Sequence, residues 1–515
     1  MPKTKPNFIF IMTDQHRADL RASRGCPLDT MPFLDSFAKG SADFERAYTP
    51  NPICLAARVS FLTGRTPETH KVRTNHNARD AVYYKDMLDI LSENGYQTAL
   101  CGKNHTHRKN SDFDFAKTNG HLGSEGEINS TPAEKEFAGF LKATHHMEVD
   151  HPSPGGVEVQ FPYRNVRDAL EFIDRRDREK PFFLWVSMAE PHNPSQVPEP
   201  YFDMFPPEAL PKVTGKEALE GKSERFLWLR SIWERIMGQD IDKRMARTRS
   251  NYFGMLRLID DQIKRLIDGV EQRGLTGETH IVFLSDHGDL VGEYGILRKG
   301  ADLAEPLINI PFIWRGPGVA SGRRAECVNL IDVLPTICDI IGVPIPDGVQ
   351  GKSILPLLHG EEVNKKEFES AFSESGYGGL FWDERDALAP DIEGACDKDY
   401  THFDCLDTWT QCGMLRAVRK GDYKVIMDSR GNGWLYNVSA DPLELHDLWN
   451  GPAFESVKCD MLAELSKQMM LHTDPLPYPH HRYRVKRHPK NYTESGYISP
   501  DPGVSQLKDY KGHNT

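Results

Sequence analysis

Short runs rich in β-branched and aromatic residues alternate with stretches of helical period along most of the chain. The continuously apolar runs predict strands at residues 8–12, 97–100, 181–188, 280–284 and 310–314. Between them, apolar positions recurring every three to four residues predict helices at 31–39, 84–94, 166–176 and 251–273. Gly95 and Gly274 stand just past two of these helices, where a left-handed C-cap needs no Cβ. Helix followed by strand, repeatedly, is the pattern of a parallel sheet wound with crossover helices. The fold class expected is α/β, with a large, mainly parallel sheet flanked by helices.

Two stretches interrupt this alternation. Residues 110–163 and 195–250 are rich in Pro, Gly, His and charge, and are too long for simple connections. They read as insertions over a pocket, where substrate choice resides. The second carries Phe226-Leu-Trp-Leu-Arg-Ser-Ile-Trp233, an aromatic run that either stacks on a sugar or aryl ring or serves as core or dimer surface. Past residue 361 the chain turns to loops, then to short alternating runs at 415–418, 423–427 and 433–436 and a helix near 456–471. That pattern predicts a small α+β subdomain with an antiparallel sheet. The expected organisation is a catalytic domain over 1–365, the subdomain over 366–475, and an arm or tail over 476–515. Residues 480–487 read as an arm crossing to a second protomer of a homo-oligomer.

In doubly wound sheets ligands gather at the carboxyl ends of strands. Four predicted strands end in chemically loaded loops: Thr13-Asp-Gln-His16, Cys101-Gly-Lys-Asn-His105, Glu190-Pro-His-Asn-Pro194 and Ser285-Asp-His-Gly288. One aspartate after a strand is an ordinary turn or helix cap. Several converging on one sheet edge make a ligand set. Asp14, Gln15 and Asp286 offer hard oxygen donors suited to Ca²⁺ or Mg²⁺, and His287 admits Mn²⁺. Cys54 opens a predicted helix, with Arg58 one turn later on the same face. A helix N-terminus and a guanidinium together favour an anion; taken alone, Cys54 would read as a small core residue. His16 and His70 read as supporting residues near these loops. His76, His107, His145, His146 and His151 either line the pocket or solvate it.

The charge balance sharpens the picture. A net charge of −12 and a pI near 5.9 argue against a nucleic-acid binder that relies on a global positive field. An anionic substrate then requires locally gathered cations. No apolar run approaches the roughly 20 residues of a membrane helix, so no membrane partner is expected. The apolar stretch after Met1-Pro-Lys-Thr-Lys5 is too short for a signal-peptide core. The chain as given therefore reads as cytoplasmic, or as periplasmic or secreted where a signal peptide has been removed. Nine cysteines at irregular spacing make no disulfide framework. Cys396, Cys405 and Cys412 cluster without the CxxC spacing of a zinc site, and read as chance or one local bridge.

Cys54-x-Ala-x-Arg58, followed by Thr63-Gly64-Arg65, resembles the formylglycine signature of type I sulfatases, in a looser form of their Cys-x-Pro-Ser-Arg. The resemblance continues in order. It takes in residues 7–14, Gly95-Tyr-Gln-Thr98, Gly102-Lys-Asn-His105, Pro191-His-Asn-Pro194, Ser285-Asp-His-Gly288 with Gly292, Gly295 and Lys299, Asp332-Val-Leu-Pro-Thr336 and Gly351-Lys-Ser353. Residues 416–424 and 435–448 match the family's C-terminal sheet. The resemblance implies an alkaline phosphatase-like fold and a Cys54 oxidised to formylglycine by a separate maturase. It implies that Asp14, Gln15, Asp286, His287 and residue 54 hold Ca²⁺, with Mg²⁺ or Mn²⁺ as alternatives. By position, Lys103 and Arg58 would stabilise the hydrated aldehyde and the charge on the transferring group. His105 would take the proton when the diol collapses, and His192 and Lys299 would grip sulfate and protonate the departing alcohol. One diol hydroxyl would attack sulfur and the other would expel sulfate.

Three positions depart from that pattern. Gln15 stands where many members carry a second Asp, Ala56-Ala57 replaces Pro-Ser, and the segment after Lys299 lacks the usual wording. The implied activity is arylsulfatase-like hydrolysis of a sulfate ester, on a small molecule or a sulfated carbohydrate. The alternative within the same fold is a formylglycine-dependent phosphonate monoester hydrolase or phosphodiesterase, whose metal site shares the Asp-Gln wording. A third reading, an inactive binding protein, is opposed by the intact Asp14, Cys54, Arg58, Lys103, His105 and Asp286.

Overall fold

The computed structural model describes residues 5–120, 131–300, 302–378 and 413–476. Eight strands form its main sheet: β1 (Asn7–Asp14), β2 (Ala42–Tyr48), β3 (Gln97–Gly102), β4 (Phe115–Thr118), β5 (Phe182–Pro191), β6 (Thr279–Ser285), β7 (Phe312–Arg315) and β8 (Gly322–Asn329). Their order across the sheet is β4-β3-β5-β1-β6-β7-β2-β8. Strands β3, β5, β1 and β6 are consecutive and parallel. Strand β1 is buried throughout and divides its side chains between two cores. Ile9 and Ile11 face the helices Pro32–Lys39, Phe161–Arg175 and Ile241–Gln272. Phe8, Phe10 and Met12 face the side holding Cys54–Thr63, Met87–Glu93 and Val333–Ile341. Cover on both faces is why the central strands read as continuous apolar runs.

The sequence expectations need several corrections. The strand near 310–314 exists as β7, but it runs antiparallel to both β6 and β2. Among the described residues of 286–311 there is no crossover helix, only a short turn at Glu293–Gly295 and the one-turn helix Glu305–Ile308, so the chain returns antiparallel. Strands β2, β4 and β8 escaped prediction because β2 and β8 are interrupted by charged residues and β4 is short. The helix expected from 84 begins at Met87, because Asp86 is its N-cap and accepts from the Leu88 and Asp89 amides at 2.9 and 3.2 Å. The long helix starts at Ile241, inside the stretch expected as an insertion, which also holds the helix Glu224–Met237. On that helix Phe226, Leu229 and Trp233 are core residues.

A second, antiparallel sheet of four strands follows: β9 (Ser370–Gly378), β10 (Gly413–Lys420), β11 (Tyr423–Asp428) and β12 (Gly433–Asn437), covered by the helix Glu455–Leu471. Strand β9 lay outside the expectation and joins the sheets: Ser373 Oγ donates to the Thr49 carbonyl at 2.7 Å and the Glu374 amide to Pro50 at 2.8 Å. Arg65, buried behind the Cys54 helix, donates to the Gly348 carbonyl at 3.0 Å and to Asp474 at 2.9 Å. Cys396, Cys405, Cys412 and the arm at 480–487 lie outside the described residues. Among the described residues no helix is long and apolar enough to cross a membrane.

Candidate active site

Because β3, β5, β1 and β6 are parallel neighbours, their carboxyl ends form one edge, and all four loaded loops meet there. Asp14 closes β1, and Asp286 and His287 follow β6, whose Ser285 is in register with Thr13. Lys103 follows β3 through Gly102, which has φ +113° and sits so close to β5 that an added Cβ would fall 2.0 Å from the Ser187 carbonyl. Only glycine fits that approach, which lets the Lys103 amide bond Ser187 at 2.7 Å while its ammonium pairs with Asp14.

Cys54 is the first residue of a ten-residue helix that is buried along its whole length and closed by Gly64 at φ +65°. Its N-cap residue Ile53 supplies no side-chain cap, Asn75 Oδ1 accepts from the Leu55 amide at 3.2 Å, and the first peptide dipoles are directed at the cluster. Arg58 crosses beneath, its Nε donating to Asp286 at 2.8 Å and its Nη1 to Ser187 Oγ at 2.7 Å, with Asp14 at 3.6 Å from Nη2. The Cys54 Sγ, which stands where formylglycine would place an oxygen, lies 2.7 Å from Lys299 Nζ, 3.2 Å from His287 Nε2 and 3.4 Å from Asp14. His105 and His192 also stand close enough to Cys54 to interact with it. The Nδ1–H of His192 donates to the Asn193 carbonyl at 2.7 Å, which leaves Nε2 for the cluster.

Burial favours neutral forms here, and the gathered charges oppose it. Burial pushes the Cys54 thiol up, but Lys103, Lys299 and His287 outweigh it and hold it well below its ordinary value. Burial and Cys54 also raise Asp14, yet Lys103, His192 and Arg58 bring it down to about 2. His105 and His192 are lowered, chiefly by burial. Burial and Lys299 lower His287, but Asp286 and Cys54 reverse them and its net shift is upward.

The donor set fits a divalent cation. One ligand atom each from Asp14, Cys54, Asp286 and His287 lie within 4.8 Å of one another, all buried. His287 Nδ1–H donates to the Gly288 carbonyl at 2.8 Å, so the Nε2 lone pair is turned to the cluster, as a metal-bound imidazole requires. Gln15 completes the group, with its Oε1 3.3 Å from Lys299 Nζ. Carboxylate and amide oxygens with one imidazole suit Ca²⁺, Mg²⁺ or Mn²⁺. Backbone strain concentrates in the same loops: Gln15, His105, Val291, Tyr294 and Arg298 all have positive φ.

Every residue singled out from the sequence as catalytic or metal-binding therefore lies in this cluster. The supporting histidines separate. His16 is buried and neutral, lowered to about 3 by burial, and packs on Phe283. His70 takes the Val72 amide on Nδ1 and meets Ser60 Oγ at 2.9 Å, which braces the Cys54 helix. His107 bonds Asp86 at 2.9 Å, His76 and His151 are exposed, and His146 lines a cavity of about 20 Å³ beside Gln15, room for about one water. Sequence reasoning missed Ser187, Tyr252 and Asp289. Tyr252 OH donates to the Gln15 carbonyl at 2.7 Å from the middle of a long helix, where nothing local marks it. Asp289 directly follows the Ser-Asp-His-Gly motif and was legible as its continuation.

The fold is alkaline phosphatase-like. A phosphonate monoester hydrolase of Agrobacterium radiobacter is similar at TM-score 0.72 and 20% identity, over 94% of this chain and 100% of that one. A structure solved in complex with its substrate D-glucosamine-2-N,6-O-disulfate is similar at TM-score 0.68 and 18% identity, over 91% and 98%. An arylsulfatase of Clostridium perfringens is 28% identical over 486 residues, 88% of this chain and 92% of that protein. The family model for Sulfatase matches residues 6–343, and the chain belongs to the sulfatase family.

Proposed function

We propose that this sulfuric ester hydrolase uses a formylglycine made from Cys54, with a divalent cation held by Asp14, Gln15, Asp286 and His287, to cleave a sulfate ester carried on a saccharide. The observation that carries the reading is residue 54 itself: a buried helix N-terminus, with Lys299, His287 and Asp14 around one atom. The hydrated aldehyde supplies one hydroxyl as nucleophile and a second whose deprotonation releases sulfate. A cation held by these residues would supply Lewis acidity, which lowers the pKa of a hydroxyl beside it.

The chain's own residues do the rest. Arg58 and Lys103 fix the Asp14 and Asp286 carboxylates and offset their charge, so that an anion can approach an acidic protein. Lys299 Nζ, in reach of both residue 54 and Gln15, neutralises sulfate oxygens and lies beside the departing oxygen. His192, oriented by its bond to Asn193, presents Nε2 to the cluster; a bound sulfate anion would favour its imidazolium form against the burial that lowers it, and that form protonates the departing oxygen. His105 takes the proton from the second hydroxyl. The saccharide assignment takes its support from the disulfated sugar bound by a protein of the same fold. On this reading residues 1–365 form the catalytic domain and a maturase is an obligatory partner.

The phosphonate monoester hydrolase of the same fold motivates the second reading, a phosphonate monoester or phosphodiester as substrate. A panel of aryl sulfate, sulfated monosaccharide, phosphate monoester, phosphodiester and phosphonate monoester decides the matter. Sulfate esters are expected to give the highest kcat/KM, in protein whose 51–65 peptide carries the aldehyde mass. Turnover of the diester or phosphonate alone, or full activity with an intact Cys54 thiol, overturns the proposal.

A further inference from the structure

Gln15 is held at every end of its side chain and backbone. Its amide N–H donates to Asp286 Oδ1 at 3.1 Å, its carbonyl accepts from Tyr252 OH at 2.7 Å, and its φ is +69°. The side-chain Nε2 donates to Asp289 Oδ2. Asp289 is itself fixed, because its Oδ1 accepts the backbone amides of Val291 at 2.6 Å and Arg298 at 3.0 Å. A carboxylate only accepts, so the carboxamide end facing it must be the NH₂. Oε1 is thereby turned the other way, toward Lys299 and the Asp14, Asp286 and His287 ligand atoms.

We propose that Asp289 is a positioning residue that sets which end of the Gln15 carboxamide faces the cation site, so that an oxygen and never an NH₂ is offered. The inference rests on the metal site proposed above. It also accounts for a neutral amide in a ligand position: the carboxylate missing at residue 15 stands one contact further out, at Asp289, where it orients the ligand. Without that partner only the longer contact from Lys299 Nζ, at 3.3 Å, would favour the oxygen end, and the donor end cannot bind a cation.

The geometry makes an unusual prediction for a near-isosteric change. In Asp289→Asn the two backbone amides of Val291 and Arg298 still require an acceptor, so the carbonyl oxygen of the new side chain stays with them and its NH₂ turns to Gln15. Gln15 must then answer with Oε1, and its own NH₂ points into the cation site. Adding Gln15→Glu restores the match, since one glutamate oxygen accepts from the NH₂ introduced at position 289 and the other faces the cation.

Calorimetric titration of chelator-treated protein with Mn²⁺ and with Ca²⁺ tests this, with the melting temperature of the cation-free protein recorded in parallel. Asp289→Asn is expected to weaken binding by about 10–100-fold, the range for outer partners of metal ligands. The double variant Gln15→Glu/Asp289→Asn is expected to recover most of that loss. Wild-type affinity in Asp289→Asn overturns the proposal. So does a double variant no tighter than the single one, including the case where both melt lower, because Asp289 would then be a loop clip for Val291 and Arg298 and nothing more. Failure of the wild type to bind either cation removes the metal reading and this inference with it, which separates the two failures.

Discussion

At the scale of the residue, the cluster assigns proton traffic by tautomer. His192 has its Nδ1–H committed to Asn193, so any proton it gives or takes passes through Nε2. Loss of that proton donor should matter in proportion to the basicity of the leaving oxygen. His192→Ala is expected to lower kcat/KM about 10²–10⁴-fold on a sugar sulfate, whose alkoxide needs the proton. On a nitrophenyl sulfate, whose phenolate leaves unaided, the loss should be far smaller. Equal losses on both substrates would show that His192 holds sulfate and leaves the departing oxygen alone. The same scale explains what was legible. Asp14, Lys103 and Asp286 were legible because several such residues end strands at one sheet edge, Cys54 and Arg58 because they share the first turn of a predicted helix, and Lys299 only through the family resemblance. Ser187 and Tyr252 carry no such mark, since a hydroxyl inside an apolar strand or helix is locally ordinary and gains its meaning from a partner far away in sequence.

At the scale of the element, the parallel centre of the sheet was readable because both its faces are covered, while β2 and β8 were not, because charge interrupts them. The reversal of β7 was invisible, since strand direction is set by the connection and not by the strand. The long helix Ile241–Gln272 was found, but its first turns lay in polar sequence that only tertiary packing holds helical. That helix buries Asp260, whose two oxygens accept the amides of Phe33 and Leu34, at 2.8 Å each, at the start of the helix Pro32–Lys39. Burial pushes the Asp260 carboxyl from 3.8 up to about 7 despite those bonds. The folded protein therefore binds this proton more tightly than the unfolded chain. The contribution is fully present below the unfolded value and is lost as pH rises through the folded one. Denaturation profiles of the wild type and Asp260→Asn should reflect this, the wild-type advantage being greater at about pH 5 than at about pH 8. A gap that widens with pH would mean the carboxylate is the stabilising form.

At the scale of the whole molecule, the site is assembled from segments that are remote in the chain. Strand β9 and Arg65 tie the second sheet and Asp474 to the stretch that presents Cys54, so the small sheet acts as a buttress for the Cys54 helix. The cavity wall beside Gln15 draws on segments around His146, Trp233 and Arg298, and the aromatic run near residue 230 is core on one side and wall on the other. The pairing of Cys54 with His287 spans 233 residues, and that with Lys299 spans 245. Cys54 is 1% exposed once those partners arrive. Synthesis at about 5–20 residues per second places the emergence of His287 roughly 10–50 s after that of Cys54. On the formylglycine proposal, closure of β6 against β1 would work as a clock, with a maturase having access to the thiol only until it strikes. Folded, unconverted protein incubated with an active maturase should keep its thiol, whereas slowing translation of the segment before β6 should raise the converted fraction; efficient conversion of the folded chain would show that the door reopens.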